Sequence, residues 1–182
     1  MTASLLNIIE HQHLIITGGL REERLNAAHS VLAGLQHKNM LVFNIEADLP
    51  TTDAYLEAAR STFSIFSPLG IGKEKMSLDQ VQDMHLDWVS RQAQPMLVYW
   101  EEINIDDPDD LAELIGGYVT EKYYLDEIWD SEDPFWFRLV ATSAVPVAGL
   151  YQRARIFIGR DPVDERTEED IWRRHLHIAE LS

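Results

Sequence analysis

Two short segments carry residues whose types and spacing could bind a phosphate group, and the first is TGGLREERLN. It follows an apolar run and places Gly18 and Gly19 just before a helical pattern. Phosphate-binding loops of the pattern G-x-x-x-x-G-K-[ST] also lie between a strand and a helix. In these loops the backbone wraps the phosphates, the lysine neutralises them, and the Ser or Thr hydroxyl holds Mg²⁺. Counting from Gly18, however, Glu23 replaces the second glycine, Arg24 the lysine and Leu25 the hydroxyl residue.

Carboxylates also stand at the start of the helix that follows the glycine turn. Glu22 and Glu23 favour the helix, because they complement the positive end of its dipole. They disfavour a triphosphate, since two like charges about 4 Å apart repel by about 4 kcal/mol at an effective dielectric of 20. We expect no ordinary ATP binding here. Any nucleotide that did bind would contact Gly18 and Gly19, with Arg24 in place of the lysine.

The second segment is PMLVYWEEIN, an apolar strand pattern that ends in Glu101 and Glu102. In working ATPases, a strand ending in two acids organises magnesium with the first carboxylate and polarises the attacking water with the second. Glu101 and Glu102 would therefore be the catalytic pair if this protein were active. The alternative interpretation is that they are ordinary acids where a strand runs into solvent.

Other catalytic or metal-binding patterns are weak. A zinc site needs three or four convergent ligands, and the pairs His11 with His13 and His175 with His177 have no further ligand at suitable spacing. The sequence contains no cysteine, which excludes thiolate chemistry and disulfides. We expect no metal site.

The candidate segments must be positioned by an alternation of apolar runs and helical patterns. The runs are nearly continuous, as in strands covered on both faces of a parallel sheet. The alternation predicts one α/β domain over residues 1–182, with right-handed crossovers. The predicted strands are His13–Thr17, Met40–Ile45, Met96–Trp100, Arg138–Thr142 and Arg155–Ile158. The predicted helices are Leu25–Leu35, Asp53–Phe66, Leu78–Trp88, Pro108–Val119 and Thr167–Ile178.

Two long loops are predicted between these elements, Ser67–Met76 and Tyr123–Phe137. The second loop is rich in both acidic and aromatic residues. Aromatic side chains are enriched at the energetic centres of interfaces, and an acidic rim favours a basic partner. We therefore predict a partner-binding surface in this loop, the alternative being that the aromatics cap the sheet edge. The predicted contact residues are Tyr124, Trp129, Phe135 and Trp136.

The segment from Arg138 to Leu176 resembles the second half of an AAA-plus ATPase module. A strand ends in Ala-Thr, and a proline-containing loop, an arginine-bearing turn, a strand and an acidic turn into a helix follow. The resemblance covers His13 to Leu176 in the correct order. It implies a three-layer α/β sandwich of the P-loop NTPase type, with a central, mainly parallel five-stranded sheet. It also implies ATP and magnesium as ligands, assembly into rings, and an arginine-finger role for Arg153 and Arg155.

The departures from that family pattern all affect the nucleotide site. The lysine and the magnesium-binding hydroxyl are missing, and Ala144 stands where the family has its sensor asparagine. The sequence ends at Ser182, so we expect the helical lid to be absent. These departures predict a non-catalytic interaction or assembly module with a degenerate site and no cofactor. The alternative is a divergent NTPase or phosphotransferase that uses Glu101 and Glu102 with magnesium.

The charge balance limits the partners. The 15 basic and 31 acidic residues give a formal net charge of -16, which repels phosphate backbones, so we expect no direct nucleic-acid binding. A basic protein, or a second copy of this chain, is the expected partner; mimicry of nucleic acid is a third interpretation. We predict no signal peptide and no membrane span, and a cytoplasmic location.

Overall fold

The computed structural model describes residues 2–45, 95–105, 107–128, 136–145, 147, 149–153 and 165–182. These residues form an α/β fold in which helices flank one sheet. The strands are β1 (His13–Gly18), β2 (Leu41–Ile45), β3 (Met96–Ile103), β4 (Phe137–Ser143) and β5 (Leu176–Leu181). The helices are α1 (Thr2–Ile9), α2 (Arg21–Gly34), α3 (Pro108–Tyr123) and α4 (Glu165–His175).

The sheet has the order β2-β3-β4-β1-β5, and every strand pair is parallel. In the register at the centre, Ile15 lies opposite Ala141 on β4 and Ile178 on β5. The predicted α/β class and parallel five-stranded sheet are therefore confirmed. Parallel strands place their carboxyl ends at one edge, and here that edge carries the glycine turn and the paired acids.

Alternate side chains of the strands enter two separate cores. Ile15, Val98 and Leu139 belong to the core beneath α3 and α4, whereas Leu14 and Leu97 belong to the core beneath α1 and α2. Both faces of the sheet are thus covered, which is why its strands read as continuous apolar runs. Helix layers on both sides of the sheet confirm the predicted three-layer arrangement.

The buried face of α2 includes a charged residue. Arg24 is 5% exposed and shares this face with Ala27, Ala28, Val31 and, just beyond the helix, Leu35. The buried stripe differs from the predicted one at two positions. Leu25 and Leu32 are only half-buried, and the preceding residues Arg24 and Val31 are buried in their place. With this face of α2 buried, the Arg24 side chain lies against the carboxyl edge of the sheet.

Helix α3 begins as predicted, but it continues past its predicted end at Val119. Asp107 caps the helix by accepting hydrogen bonds from the N–H groups of Asp109 and Asp110, and Pro108 occupies the first turn. The helix extends to Tyr123 and is followed by a π-helical turn, Tyr124–Ile128. The first part of the predicted Tyr123–Phe137 loop is therefore helical; residues 129–135 lie outside the described residues.

The carboxyl-terminal segment differs from its prediction. The predicted helix Thr167–Ile178 ends at His175, and residues Leu176–Leu181 form the edge strand β5. This segment is compatible with either state locally, but pairing with β1 supplies backbone partners along that strand. Pairing with β1 therefore determines that residues Leu176–Leu181 form a strand. The predicted fifth strand, Arg155–Ile158, lies outside the described residues.

Helix α1 is an element that the sequence patterns did not predict. It packs Leu5 and Ile9 into the core beneath α2, and its Leu6 side chain lies against Gly34. The predicted helices Asp53–Phe66 and Leu78–Trp88, and the predicted loop Ser67–Met76, lie outside the described residues.

Candidate functional site at the carboxyl edge of the sheet

The glycine turn after β1 requires both of its glycines. Gly18 and Gly19 have φ angles of +74° and +56°, a region that disfavours side chains. A Cβ on Gly18 would lie 2.4 Å from the carbonyl oxygen of Leu181 on β5, and a Cβ on Gly19 would lie 2.8 Å from Oε2 of Glu23. The turn is therefore packed closely between the end of β5 and the first turn of α2.

A carboxylate of the helix itself occupies the amino-terminal end of α2. Oε2 of Glu23 accepts a hydrogen bond of 2.7 Å from the backbone N–H of Leu20, the residue that precedes the helix. This is the acidic half of a capping box, and it satisfies one of the free N–H groups of the helix start. A phosphate bound by a helix amino terminus would need such N–H groups.

Arg24 fills the space beneath the turn with all of its donor nitrogens engaged. Its Nη1 donates to the carbonyl oxygens of Gly18, at 3.0 Å, and Gly19, at 2.9 Å. Its Nε and Nη2 form a bidentate pair with Glu102, at 3.0 Å to Oε1 and 2.8 Å to Oε2. The two side chains are 6% and 11% exposed, so this is a largely buried ion pair.

A β-bulge at the end of β3 presents both predicted acids to α2. Trp100 pairs with Ala141 and Ile103 pairs with Ser143, so Glu101 and Glu102 together lie opposite Thr142. Glu102 has a φ of +53°, which is rare for a residue with a side chain. Successive strand residues normally face opposite sides, but here Glu101 pairs with an α2 residue as Glu102 does.

The partner of Glu101 is Arg21, three residues before Arg24 on the same helix. The Arg21 Nη2 to Glu101 Oε1 distance is 2.8 Å, and both side chains are partly open to solvent. The Thr142 hydroxyl accepts a 2.8 Å hydrogen bond from the N–H of Glu102, which satisfies a donor that the bulge removes from regular pairing. Two arginines and two glutamates thus form a paired set at this edge.

The hydrogen bonds and charges around Arg24 and Glu102 favour the charged form of both side chains. Burial alone would raise the pKa of Glu102, but hydrogen bonding from Arg24 and Thr142 and the charge of Arg24 outweigh it and lower that pKa. Hydrogen bonding to Glu102 raises the pKa of Arg24 against the opposing effect of burial. The ion pair is therefore intact at neutral pH.

Of the two predicted arginine-finger residues, Arg153 does not join this set. Nε of Arg153 contacts Oδ1 of Asp109, at the start of α3, at 3.0 Å. Both of these side chains are largely exposed. Arg155 lies outside the described residues.

The predicted partner-binding aromatics are only partly described. Tyr124 is half-buried, with its ring centroid 6.3 Å from that of Tyr123. Trp136 is also half-buried, and its ring lies 5.1 Å from Lys38 Nζ and 5.2 Å from the Arg138 guanidinium carbon. Trp129 and Phe135 lie outside the described residues.

Two histidines of the paired patterns, His13 and His175, are buried. Nδ1 of His13 accepts a 2.9 Å hydrogen bond from the N–H of Leu139, and its Nε2 lies 2.9 Å from the Tyr118 carbonyl. These partners assign the neutral tautomer with hydrogen on Nε2. Burial, followed by the charge of Lys122, lowers the pKa of His13 well below its ordinary value.

His175 belongs to a second polar cluster, at the end of α3. Its Nδ1 lies 2.9 Å from Nζ of Lys122, and its Nε2 lies 2.8 Å from Oε1 of Glu127. Lys122 also contacts Asp126, and burial lowers the pKa of this lysine to about 8. Sequence patterns did not predict this cluster, because His175 lies 53 positions from Lys122 and 48 from Glu127.

Within the described ranges, no group of three or more histidine, aspartate or glutamate side chains is arranged to hold a metal ion. Nor does any helix in those ranges combine the length and apolar character that crossing a membrane requires.

Comparisons with known proteins do not assign a family. No protein-family model matches the sequence, and no curated protein matches it. Among solved structures, the chain is similar to one in the structure of Drosophila ORC bound to GC-rich DNA and Cdc6. The TM-score is 0.47, with 11% identity over 98% of this chain. The chain spans 28% of the length of that matched chain. The α/β assignment rests on the strand order and pairing described above.

Proposed function

We propose that this domain is a non-catalytic protein-interaction or assembly module, AAA-like in plan, with a degenerate nucleotide site. The observation that supports this most strongly is the position of Arg24. Its guanidinium bridges the carbonyl oxygens of the glycine turn to the carboxylate of Glu102. The place of the phosphate-binding lysine is thus taken by a residue that already has protein partners.

The polarity of the turn supports the same proposal. A phosphate-binding turn directs N–H donors at its anion. Here the carbonyl oxygens of Gly18 and Gly19 face a cation, and the N–H of Leu20 is occupied by Glu23. A triphosphate would have to displace the Glu23 carboxylate and draw Arg24 away from Glu102. An unpaired buried charge would then cost about 3–5 kcal/mol.

The decisive measurement is calorimetric titration of the purified protein with ATP and Mg²⁺. We expect no saturable binding at micromolar nucleotide, because the anion position is filled by the protein's own groups. Arg21→Ala is the matched control, since it removes the neighbouring, more exposed arginine. Micromolar affinity that is lost in Arg24→Ala and kept in Arg21→Ala would contradict the proposal.

A divergent NTPase or phosphotransferase remains the second candidate. The observation in its favour is that Glu101 and Glu102 lie beside the glycine turn, where a catalytic pair would act. Magnesium would have to compete with two arginines for these carboxylates. Turnover of ATP that falls in Glu102→Gln would favour this candidate over the first.

The proposed partner is a basic protein or a second copy of the chain, and nucleic acid and membranes are not proposed partners. The net charge of -16 supports a basic partner through long-range attraction. The proposed working surface is the carboxyl edge of the sheet or the aromatic segment that includes Tyr124 and Trp136. The lack of cysteine is compatible with a reducing cytoplasm, which is the compartment we propose.

A further inference from the structure

A cavity of about 310 Å³ opens beside the glycine turn, on the side away from Arg24's partner strand β3. It lies between the ends of β1 and β5 and the segment that follows β4. The described residues that line it are Thr17, Gly18, Ala144, Val147, Gly149, Tyr151, Gln152, Ile178 and Glu180.

Part of the cavity wall is apolar. Val147 is 3% exposed, and Ile178 packs against the core beneath α3. The Tyr151 hydroxyl donates a 2.9 Å hydrogen bond to the carbonyl of Leu176, which holds the ring in place. Such walls suit the methylene chain of a long side chain.

Among the lining residues that the structure describes, one carries a formal charge, and that charge is negative. Glu180 is exposed on β5, and it forms no ion pair with any other residue that the structure describes. The absent side chain of Gly18 lets Glu180 lie against the turn, since a Cβ there would come within 3.2 Å of the Glu180 Cγ. The Gln152 side chain adds an amide oxygen that can accept a hydrogen bond.

Two arginines that contact lining residues, among those that the structure describes, already have carboxylate partners. Arg153 pairs with Asp109, and Arg173, which stacks 4.3 Å from the Tyr151 ring centroid, pairs with Glu169. The stacking of Arg173 also shows that this ring accepts a guanidinium on one face. Glu180 is thereby left as the uncompensated charge among the described lining residues.

We infer that this cavity binds a basic side chain, arginine or lysine, presented by the protein partner. The inference rests on the proposed interaction function and names the chemistry that the partner must supply. The aliphatic part of the side chain packs on Val147 and Ile178, and its charged end pairs with Glu180. Leu20, two residues after Gly18, is 70% exposed and presents an apolar side chain at the end of the same turn.

The test is an NMR titration of ¹⁵N-labelled protein with three peptides: acetyl-Ala-Arg-Ala-amide, its lysine analogue and its citrulline analogue. Citrulline keeps the shape of arginine without the charge. We expect saturable shifts of the Gly18, Gly149 and Gln152 amides with the two cationic peptides. In Glu180→Gln, affinity should fall about fivefold, a modest effect because the ion pair is partly exposed.

Glu113→Gln is the matched control, because it removes an exposed acid on α3 outside the cavity. It should leave the peptide affinity unchanged. Equal binding of the citrulline peptide, or equal losses in the two glutamine variants, would overturn the inference. So would the absence of saturable shifts.

A parallel titration with ATP and Mg²⁺ separates this inference from the proposed function. Shifts confined to Gly19, Arg24 and Glu102 would contradict the non-catalytic proposal while leaving the cavity result standing. Shifts of Gly149 and Gln152 with ATP would assign the cavity to a nucleotide and overturn the inference.

Discussion

The contact between Arg24 and Glu102 changes the functional interpretation of both residues. In the sequence, Arg24 stands where a phosphate-binding loop has its lysine, and Glu102 stands where an ATPase has its second acid. In the fold they contact each other across 78 positions of sequence. This sequence separation explains why the ion pair could not be predicted. Each residue belongs to a recognisable local motif, but no local pattern indicates that the two side chains are in contact.

A double-mutant cycle on this pair tests its energetic role. We expect Arg24→Leu to destabilise the protein by about 3–5 kcal/mol, because Glu102 is left as a buried, unpaired carboxylate. The double variant Arg24→Leu with Glu102→Leu should recover much of that loss, since no charge is stranded. Urea unfolding at neutral pH measures each free energy.

Strictly additive losses in this cycle would show that the two side chains are not coupled in the folded state. The corresponding cycle on Arg21 and Glu101 is the matched control. That pair is more exposed, so its coupling should be below about 1 kcal/mol.

At the scale of elements, the bulge in β3 determines what the edge of the sheet presents. A regular strand would direct Glu101 and Glu102 to opposite faces. Because of the extra residue, both glutamates form ion pairs with arginines of α2. The positive φ of Glu102 is the conformational strain that this arrangement requires. The strand itself was predictable from its apolar run, but the bulge was not, because it depends on α2 and Thr142.

Thr142→Val tests the hydrogen bond that accompanies the bulge. Valine keeps the shape of threonine but cannot accept the hydrogen bond from the Glu102 N–H, so we expect a loss of about 1–3 kcal/mol in stability. Thr142→Ser retains the hydroxyl and should cost less than Thr142→Val. If Thr142→Val is as stable as the parent protein, the hydrogen bond contributes no measurable stability and the prediction is wrong. Thermal and urea unfolding would distinguish these outcomes.

At the scale of the whole molecule, buried histidines make folding sensitive to mild acid. Burial is the largest cause that lowers the pKa of both His13 and His175. The unfolded chain therefore binds more protons than the folded one below about pH 6.5. Linkage then requires the free energy of unfolding to fall as pH falls through that range.

We expect a loss of about 1–2 kcal/mol between pH 7 and pH 5.5, measured by urea unfolding at fixed ionic strength. His13→Gln should lower the stability at pH 7 but make the pH dependence shallower. Repeating the series in higher salt is the control for the net charge of -16, whose self-repulsion weakens in acid and acts in the opposite direction. Stability that is constant or rises toward pH 5.5 would contradict the assigned neutral state of the buried histidines.

The sequence by itself determined the fold class, because continuous apolar runs alternating with helical patterns are compatible with little else than a covered parallel sheet. It also identified the glycine turn and the two acids, because those signals are local. Only the tertiary structure decided that Leu176–Leu181 is a strand, since β1 supplies its backbone partners. Only the tertiary structure decided the partners of Arg24, because those contacts form where the carboxyl ends of distant strands meet.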